Sequence, residues 1–319
     1  MSTGDTLVSR YDAVVCDLDG VVYRGPAAVP HAVETLGRLE APVIYATNNA
    51  SRSPGDVAAH LRELGLGCTA DAVATSSQAG AWLLAERFPA GTAVLAVGGA
   101  GVAQALSEAG LSPVLPVEVA GAGAAVLAVL QGYGPDVTAT DLAEAAYAVQ
   151  GGAAWAATNT DGTLPTDRGV APGNGSLVAA VERAVGHPPH LVAGKPQAPL
   201  YLLSAQRLGV DASRVLAVGD RLDTDIEGAV AAGMDSLLVL TGVDDLQACL
   251  EAPAARRPTW VAPDLRSLLV DPDDSEGTLA ALTAAVRAVH SARDAGGDPA
   301  ELSRLVSRAK SVVDAAAHR

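Results

Sequence analysis

The chain has 319 residues, of which 49% are hydrophobic and only 3% aromatic, and its formal net charge is −15. This length favours two domains or one domain with a large insertion, and a core built mainly from Ala, Val and Leu suits a layered α/β protein. Because no basic segment offsets the negative charge, the composition argues against nucleic acid and anionic lipid as binding partners.

The N-terminal segment, residues 1–11, lacks the apolar core of a signal peptide, and no apolar stretch is long enough to cross a bilayer. We therefore expect a cytoplasmic protein. The three cysteines, Cys16, Cys68 and Cys249, form no C-x-x-C pair, so the sequence predicts buried, reduced thiols rather than a redox or zinc site.

The first apolar run, residues 13–16, predicts a buried strand that leads directly into Asp17-Leu18-Asp19-Gly20. Alternation along a strand would point both carboxylates the same way, at the strand end where doubly wound sheets bind ligands. Two close carboxylates favour a hard cation such as Mg²⁺, and the pattern is typical of an aspartyl-phosphate enzyme. The alternative is a calcium loop, but its glycine would be sixth rather than fourth and a helix would precede it.

The next run, residues 43–46, leads into Thr47-Asn48-Asn49-Ala50-Ser51. Hydroxyl, carboxamide and backbone N–H donors at a strand end suit the oxygens of a phosphate. Helix capping explains part of the segment equally well, because Ser53-Pro54 fits an N-cap followed by proline at the first helical position.

Further apolar runs at residues 94–97, 125–130 and 153–157 alternate with helical patterns. Their continuous hydrophobicity predicts parallel strands that are buried on both faces and joined by crossover helices. The glycines of Val97-Gly98-Gly99-Ala100-Gly101 raise a dinucleotide-binding oxidoreductase as a rival function. That signal is weak, since Gln104 stands where the fingerprint has its third glycine or alanine.

The segment Ala193-Gly194-Lys195-Pro196 places a lysine in a tight turn, where its ammonium would hold phosphate and offset the aspartates. It is not a P-loop, because Pro189 occupies the required upstream glycine position and Pro196 replaces the Ser or Thr that follows the lysine.

Two later apolar runs, residues 215–218 and 237–240, continue the strand pattern, and the first leads into the acidic loop Gly219-Asp220-Arg221-Leu222-Asp223-Thr224-Asp225. A third carboxylate at the sheet edge would complete an oxygen shell for Mg²⁺. We expect Asp220 to be a direct ligand, Asp225 to orient a ligand water or neighbouring side chains, and Asp223 to be solvated. We expect Asp17, Asp19, Asp220 and Lys195 to converge on one pocket.

An acidic stretch, residues 271–277, separates this part from two C-terminal helical patterns joined by a turn at residues 294–299. Apolar residues recur in both at steps of three and four. A helical hairpin packed on its own domain is the simpler interpretation, and docking to a partner or a second subunit is the alternative.

Taken in this order, D-L-D-G-V-V-Y-R-G, T-N-N-A-S-R, G-K-P and G-D-R-L-D-T-D resemble the four motifs of the haloacid dehalogenase (HAD) superfamily, over about residues 11–270. They are similar to its subfamily IIA, which holds NagD-like and p-nitrophenylphosphatase-like enzymes. The resemblance implies an α/β fold with a Rossmann-like, doubly wound parallel-sheet core and an inserted α/β cap domain, to which this sequence adds a C-terminal helical extension. We expect core residues 1–78 and 191–270, a cap at 79–190 and the extension at 271–319.

The resemblance also implies roles for individual residues. Asp17 would attack phosphorus, and Asp19 would act first as general acid and then as general base. The phosphoryl group would be held by Gly20, Thr47, Asn48, Asn49 and Lys195. Mg²⁺ would be held by Asp17, Asp19, Asp220 and Asp225.

A resemblance to the subfamily's substrate loop covers residues 157–165, followed by Gly169 and Pro172-Gly173-Asn174-Gly175-Ser176. It implies that Asn159, Asp161 and Leu164 contact the substrate. The composition of this loop alone predicts only a surface turn, so a structural role for Asp161 or Pro165 is equally compatible. Leu164 stands where a pyridoxal phosphatase would carry a polar group, which favours a small aliphatic substrate.

The expected function is a Mg²⁺-dependent phosphatase of small phosphomonoesters that works through an aspartyl-phosphate. Glycerol 3-phosphate is the first candidate; phosphoglycolate, sugar phosphates, nucleotides and p-nitrophenyl phosphate are alternatives. A phosphate sensor without catalysis is less compatible, because Asp17, Asp19 and Lys195 are all retained. We expect no nucleic-acid or membrane partner, and a homodimer stays open.

Overall fold

The computed structural model describes residues 5–122, 125–166 and 168–317. Its strands, in chain order, are β1 (Ala13–Cys16), β2 (Tyr23–Arg24), β3 (Ala27–Ala28), β4 (Val43–Thr47), β5 (Val73–Thr75), β6 (Ala93–Val97), β7 (Ser112–Val114), β8 (Ala128–Gln131), β9 (Ala154–Ala157), β10 (Thr163–Thr166), β11 (Gly169–Pro172), β12 (Leu191–Val192), β13 (Val215–Gly219), β14 (Asp235–Val239) and β15 (Trp260–Ala262).

The helices follow most of these strands, as crossover connections between parallel strands require. They are α1 (Ala32–Leu36), α2 (Pro54–Glu63), α3 (Ser76–Ala85), α4 (Ala100–Glu108), α5 (Pro116–Ala122), α6 (Ala139–Gln150), α7 (Asn174–Val185), α8 (Pro199–Leu208), α9 (Glu227–Ala232), α10 (Leu246–Glu251), α11 (Thr278–Asp294) and α12 (Pro299–Ala317). None of the helices in the described ranges is both long and apolar enough to cross a membrane.

The chain forms two compact units, each assembled from separate segments. The first comprises Met1–Tyr45, Arg62–Gly67 and Ser204–Arg319, and the second comprises Ala46–Leu61 and Cys68–Leu203. These bounds differ from the predicted cap limits, which stay a prediction.

The first unit is built on parallel strands in the order β15-β14-β13-β1-β4. All residues of β1 and β13 are buried, which explains their continuous hydrophobicity. From β1 the chain proceeds to β4 on one side, whereas β13 lies on the other side. The strand order therefore reverses beside β1, and ligands bind beyond the carboxyl ends of strands at such a point.

The second unit has its own parallel sheet in the order β12-β9-β8-β6-β7. Two hydrophobic clusters contain side chains from alternate positions of its strands: Leu95 and Trp155 are in one, and Val94 and Leu130 are in the other. The strands β10 and β11 form a separate antiparallel hairpin in which Leu164 pairs with Ala171. Both expected features, a parallel α/β core and further α/β structure within the insertion, are thus present.

The C-terminal helices α11 and α12 pack on the first unit, which agrees with the simpler interpretation of their pattern. They contact each other, and α11 contacts β15 and α10. Their apolar faces join a buried cluster with α10, β14 and β15 whose helical members include Leu282, Val286, Val289, Leu305 and Ala309.

Several strand predictions need correction. The run at residues 125–130 starts its strand later, at Ala128, because Leu127 is 58% exposed and lies outside the core. The run at residues 237–240 ends at Val239 and begins at Asp235. The sequence did not predict the short strands β2, β3, β5, β7, β10, β11, β12 and β15.

Candidate active site

Three carboxylates of the first unit gather at the carboxyl ends of β1 and β13. Asp17, Asp220 and Asp225 each offer an oxygen, and these oxygens all lie within 4.8 Å of one another. Asp220 and Asp225 are buried, and Asp17 is half-buried. The strand ends thus bring together residues that lie more than two hundred positions apart in the sequence.

Asp17 immediately follows β1, and its backbone N–H donates to the Val218 carbonyl at 2.8 Å. The chain then turns, because the Leu18 carbonyl accepts from Val22 N at 2.8 Å, and Gly20 adopts a left-handed φ of +85°. The strand therefore ends before the D-x-D pair, so alternation does not carry on to Asp19. The Asp19 side chain is exposed and does not belong to the carboxylate cluster found among the described residues.

In the acidic loop after β13, the carboxylates of Asp223 and Asp225 have different hydrogen-bond partners. Leu222–Ile226 forms one wide helical turn, a feature that recurs at functional sites. Asp225 Oδ2 accepts from Arg221 N at 3.1 Å, whereas Asp223 forms a two-bond pair with the Arg221 guanidinium at 3.0 and 3.1 Å. Asp223 was expected to be merely solvated, but it is half-exposed and ion-paired.

This donor set fits a hard divalent cation. Mg²⁺ prefers a few carboxylate oxygens, with water and substrate phosphate completing its shell. Three carboxylates this close together, two of them buried, repel one another unless positive charge is supplied. Asp17, Asp220 and Asp225 would hold such an ion, and Asp225 is closer to a ligand position than the sequence suggested.

In the second unit, the Asn48 carboxamide connects two other predicted site residues, Asp161 and Lys195. Its Nδ2 donates to Asp161 Oδ2 at 3.0 Å and to the Lys195 carbonyl at 3.1 Å. Its Oδ1 accepts from Lys195 N at 2.8 Å. A side chain at Gly194 would come within 2.5 Å of Asn48 Oδ1, so glycine is required beside Lys195.

The loop that contains Asp161 is fixed by two further asparagines. Asn159 Nδ2 donates to the Asn48 carbonyl at 2.8 Å, and Asn159 Oδ1 accepts from Asp161 N at 3.1 Å. The buried Asn174 donates to the Asn159 carbonyl at 2.7 Å. Asn159 and Asp161 therefore both have structural partners.

The remaining predicted residues of this unit have distinct surroundings. Lys195 is 2% exposed, and its ammonium lies 5.8 Å from the centre of the Tyr201 ring. Thr47 is buried, and its Oγ1 accepts from Asn49 N at 3.1 Å. Leu164 lies half-buried in β10.

The Asn49 side chain stabilises a turn of the chain through hydrogen bonds to Ser51. Its Oδ1 accepts from both Ser51 N and Ser51 Oγ, at 3.0 and 2.8 Å. The helix α2 starts at Pro54, and Ser53 Oγ accepts from Asp56 N at 3.1 Å, as the capping interpretation predicted.

The glycines that suggested a dinucleotide fingerprint have a packing role in the second unit. A side chain at Gly101 would come within 2.7 Å of the Ala50 carbonyl, and one at Gly99 within 3.0 Å of Ser51. Close backbone packing therefore accounts for both positions.

One part of the site was not predicted. The loop Thr241-Gly242-Val243-Asp244, which touches Asp220, offers no functional group beyond one hydroxyl and one carboxylate. Its position immediately after a predicted strand was the only available signal.

Comparison with known proteins gives a consistent set of relatives. Residues 14–112 match the family described as haloacid dehalogenase-like hydrolase, and residues 192–268 match a second HAD-hydrolase-like family. The chain is 46% identical over 266 residues to the D-glycerol 3-phosphate phosphatase of Mycobacterium tuberculosis, covering 83% of this chain and 73% of that protein. It is 35% identical over 243 residues to acid sugar phosphatase of Staphylococcus aureus, covering 75% and 90%.

Solved structures agree with these relatives. The crystal structure of glycerol phosphate phosphatase from M. tuberculosis in complex with magnesium has a TM-score of 0.78 at 45% identity, over 83% of this chain and 78% of that chain. The p-nitrophenyl phosphatase from Archaeoglobus fulgidus has a TM-score of 0.73 at 27% identity, over 81% and 98%.

Proposed function

The chain belongs to the haloacid dehalogenase-like hydrolase family and is a Mg²⁺-dependent phosphatase of small phosphate esters, and we propose that its substrate is glycerol 3-phosphate. The observation that supports this choice of substrate is the 46% identity to a D-glycerol 3-phosphate phosphatase over 83% of this chain. The half-buried Leu164 in the hairpin β10–β11 is compatible with a small aliphatic alcohol.

We assign the covalent chemistry to Asp17. Its carboxylate forms a bond to phosphorus while the ester P–O bond breaks, and Asp19 transfers a proton to the departing alcohol oxygen. Asp19 then removes a proton from a water, whose oxygen attacks the phosphorus and displaces the Asp17 carboxylate as inorganic phosphate leaves. The exposure of Asp19 supports this role, since the general acid must reach both alcohol and water.

Charge on the phosphoryl oxygens requires positive partners. We assign Asp17, Asp220 and Asp225 to the metal, with Asp19 as a further candidate, and the phosphoryl group to Lys195 and Thr47, with Gly20 and Asn49 as further candidates. Bound Mg²⁺ supplies positive charge that offsets the carboxylates and the transferring phosphoryl group. The Asn48 contacts support a positioning role for that residue, because its carboxamide fixes the main chain of Lys195.

A sugar phosphate is the second candidate, favoured by the 35% identity to acid sugar phosphatase. Measuring phosphate release across glycerol 3-phosphate, sugar phosphates, phosphoglycolate and p-nitrophenyl phosphate tests both. We expect the highest kcat/KM with glycerol 3-phosphate; a higher value with a sugar phosphate would transfer the assignment to it.

The nucleophile is tested by Asp17→Asn. We expect turnover with every ester to fall to background, because an amide is a poor nucleophile, while the melting temperature shows a folded protein. Asp223→Asn is the matched control, since this carboxylate lies in the acidic loop after β13, between Asp220 and Asp225, but pairs with Arg221 and does not belong to the cluster. Substantial turnover by pure Asp17→Asn protein would remove Asp17 from this role.

We further propose that residues 79–190 act as a cap that selects the substrate and that the protein works in the cytoplasm. The three cysteines are buried and form no disulfide, which supports a reducing compartment. Light scattering of the purified chain would show whether it forms the homodimer that the sequence left open.

A further inference from the structure

The loop Thr241-Gly242-Val243-Asp244, called here the 241–244 loop, lies two residues after β14, the parallel neighbour of β13 in the first unit. We propose that the 241–244 loop is a positioning element that fixes the Asp220 carboxylate for Mg²⁺. The proposal rests on the proposed function, because it concerns the same metal site. The loop's own side chains are not metal ligands in this assignment; it acts through Asp220.

Hydrogen bonds from this loop hold both the side chain and the main chain of Asp220. Val243 N donates to Asp220 Oδ2 at 2.7 Å, and Asp244 N donates to the Asp220 carbonyl at 3.1 Å. In return, Leu222 N donates to Asp244 Oδ2 at 2.6 Å. These hydrogen bonds therefore fix the acidic loop after β13 and the 241–244 loop relative to each other.

Steric fit gives a second, independent constraint. A methyl group at Gly242 would overlap the Asp220 carboxylate, and a methyl group at Gly20 would overlap it as well. The left-handed φ of Gly20 also favours glycine there. The Asp220 side chain is 1% exposed, so it has little room to rotate away from either glycine.

Two more contacts extend the arrangement to the turn that follows Asp17. Thr241 Oγ1 donates to the Gly20 carbonyl at 2.8 Å, and Arg24 Nη2 approaches the Gly242 carbonyl at 3.4 Å. One loop thus contacts both chain segments that carry proposed metal ligands. Groups that orient a metal ligand without binding the metal commonly set its affinity, and their loss typically weakens binding about 10–100-fold.

The test measures Mg²⁺ binding directly. Isothermal titration of the metal-free full-length protein with MgCl₂ gives the Kd for wild type, Gly242→Ala, Thr241→Val and Thr241→Ser. Gly67→Ala is the matched control, because Gly67 lies in the same unit, is exposed, has an ordinary φ and has nothing within 4 Å of an added side chain. Melting temperatures verify that each variant is folded.

We expect Gly242→Ala to weaken Mg²⁺ binding about 10–100-fold, because the new methyl group displaces the Asp220 carboxylate. Thr241→Val should weaken it less, Thr241→Ser should retain the wild-type Kd because it keeps the hydroxyl, and Gly67→Ala should not change it. The Mg²⁺ concentration for half-maximal phosphatase activity should rise in parallel, which a loss of stability alone would not cause.

A folded Gly242→Ala protein with the wild-type Mg²⁺ Kd would overturn the proposal. If Gly242→Ala does not fold, the comparison of Thr241→Val with Thr241→Ser tests the proposal instead. Equal Mg²⁺ Kd values for Thr241→Val and wild type would then overturn the proposal. Failure of the proposed function gives a different result: the wild type would bind Mg²⁺ yet release no phosphate from any ester, while the Kd contrast between variants would persist.

Discussion

At the scale of single residues, Asn48 shows how one carboxamide can organise a site. Its two ends satisfy the carbonyl and N–H of Lys195 and the carboxylate of Asp161 together. A carboxamide can do this because it carries a donor and an acceptor on one planar group. The sequence predicted a phosphate ligand at this position, but these contacts favour a role in holding other residues.

The Asn48 network predicts an interaction between two substitutions. Asn48→Asp should lower kcat/KM by about tenfold or more, because it places a second carboxylate against Asp161, and unmatched charged hydrogen bonds cost about 1.5–3 kcal/mol. Combining it with Asp161→Asn should recover part of the loss, since the donor and acceptor then exchange places while Lys195 N keeps its acceptor. The measurements are kcat/KM and melting temperature for both single variants and the double variant.

Purely additive losses in the double variant would contradict the network, because directly contacting residues show coupling energies of about 0.5–3 kcal/mol.

At the scale of elements, the two C-terminal helices complete the first unit. The helix α11 contacts α10, where the buried His290 Nε2 lies 2.8 Å from the Cys249 carbonyl. Because a carbonyl only accepts, Nε2 carries the proton in this contact. Burial is the main cause that lowers the pKa of His290 below its ordinary value of 6.5. The same burial raises the pKa of the Cys249 thiol to about 12, which makes it a poor nucleophile.

This histidine predicts a pH-dependent loss of stability. Its folded-state pKa is depressed, so the unfolded chain binds more protons, and the free energy of unfolding falls as the pH decreases below about 6.5. His290→Gln should reduce that fall, because glutamine keeps an N–H donor but does not titrate. The measurement is the denaturant midpoint at pH 7.5 and 5.5 for both proteins.

The other charged groups near His290 are unchanged in that comparison. Arg257 forms an ion pair with Asp294 at 2.5 Å, which lowers the pKa of this carboxyl group. The positive charge of Arg293 contributes to the lowered pKa of His290. An identical pH response in wild type and His290→Gln would show that these groups, not His290, carry the effect.

The elements also show how far sequence reasoning reaches. The strands β1, β4 and β13 could be predicted because they are buried and continuously apolar. The polar segments that follow them indicated where the site lies. The strands β7 and β12 could not, because they have only three and two residues and lack fully buried positions. The carboxylate cluster could be predicted because its aspartates come directly after or close to the ends of predicted strands. The role of the 241–244 loop could not be predicted, since it acts through a glycine and backbone N–H groups, which form no recognisable sequence motif.

At the scale of the whole molecule, the carboxylate cluster links metal binding to stability. Asp17, Asp220 and Asp225 concentrate negative charge within 4.8 Å in a chain whose net charge is −15. A ligand that binds only the folded state stabilises it by about 2.7 kcal/mol at one hundred times its Kd. The ion should therefore matter for folding as well as for catalysis.

This predicts opposite effects of one substitution in the two metal states. Without metal, Asp220→Asn should melt at a higher temperature than wild type, because it removes one of the repelling charges. With saturating Mg²⁺ the wild type should gain stability and Asp220→Asn should gain little. Thermal melts in EDTA and in increasing MgCl₂ test this, alongside the loss of phosphatase activity in EDTA and its return with Mg²⁺.

Asp223→Asn should behave like wild type in the same titration, because Asp223 lies outside the cluster. A wild-type melting temperature that does not respond to Mg²⁺ would contradict the assignment of the cluster to the metal.

The first unit is assembled from segments that precede and follow Cys68–Leu203 in the sequence, and this has a consequence for biosynthesis. The ribosome makes Asp17 about 200 residues before Asp220, which at about 5–20 residues per second is a delay of about 10–40 s. During that interval Cys68–Leu203 emerges as one continuous stretch, whereas β1 has neither β13 nor the 241–244 loop beside it. The nascent strand β1 can therefore pair early with β4, but it lacks β13 and the 241–244 loop until residue 244 has been made.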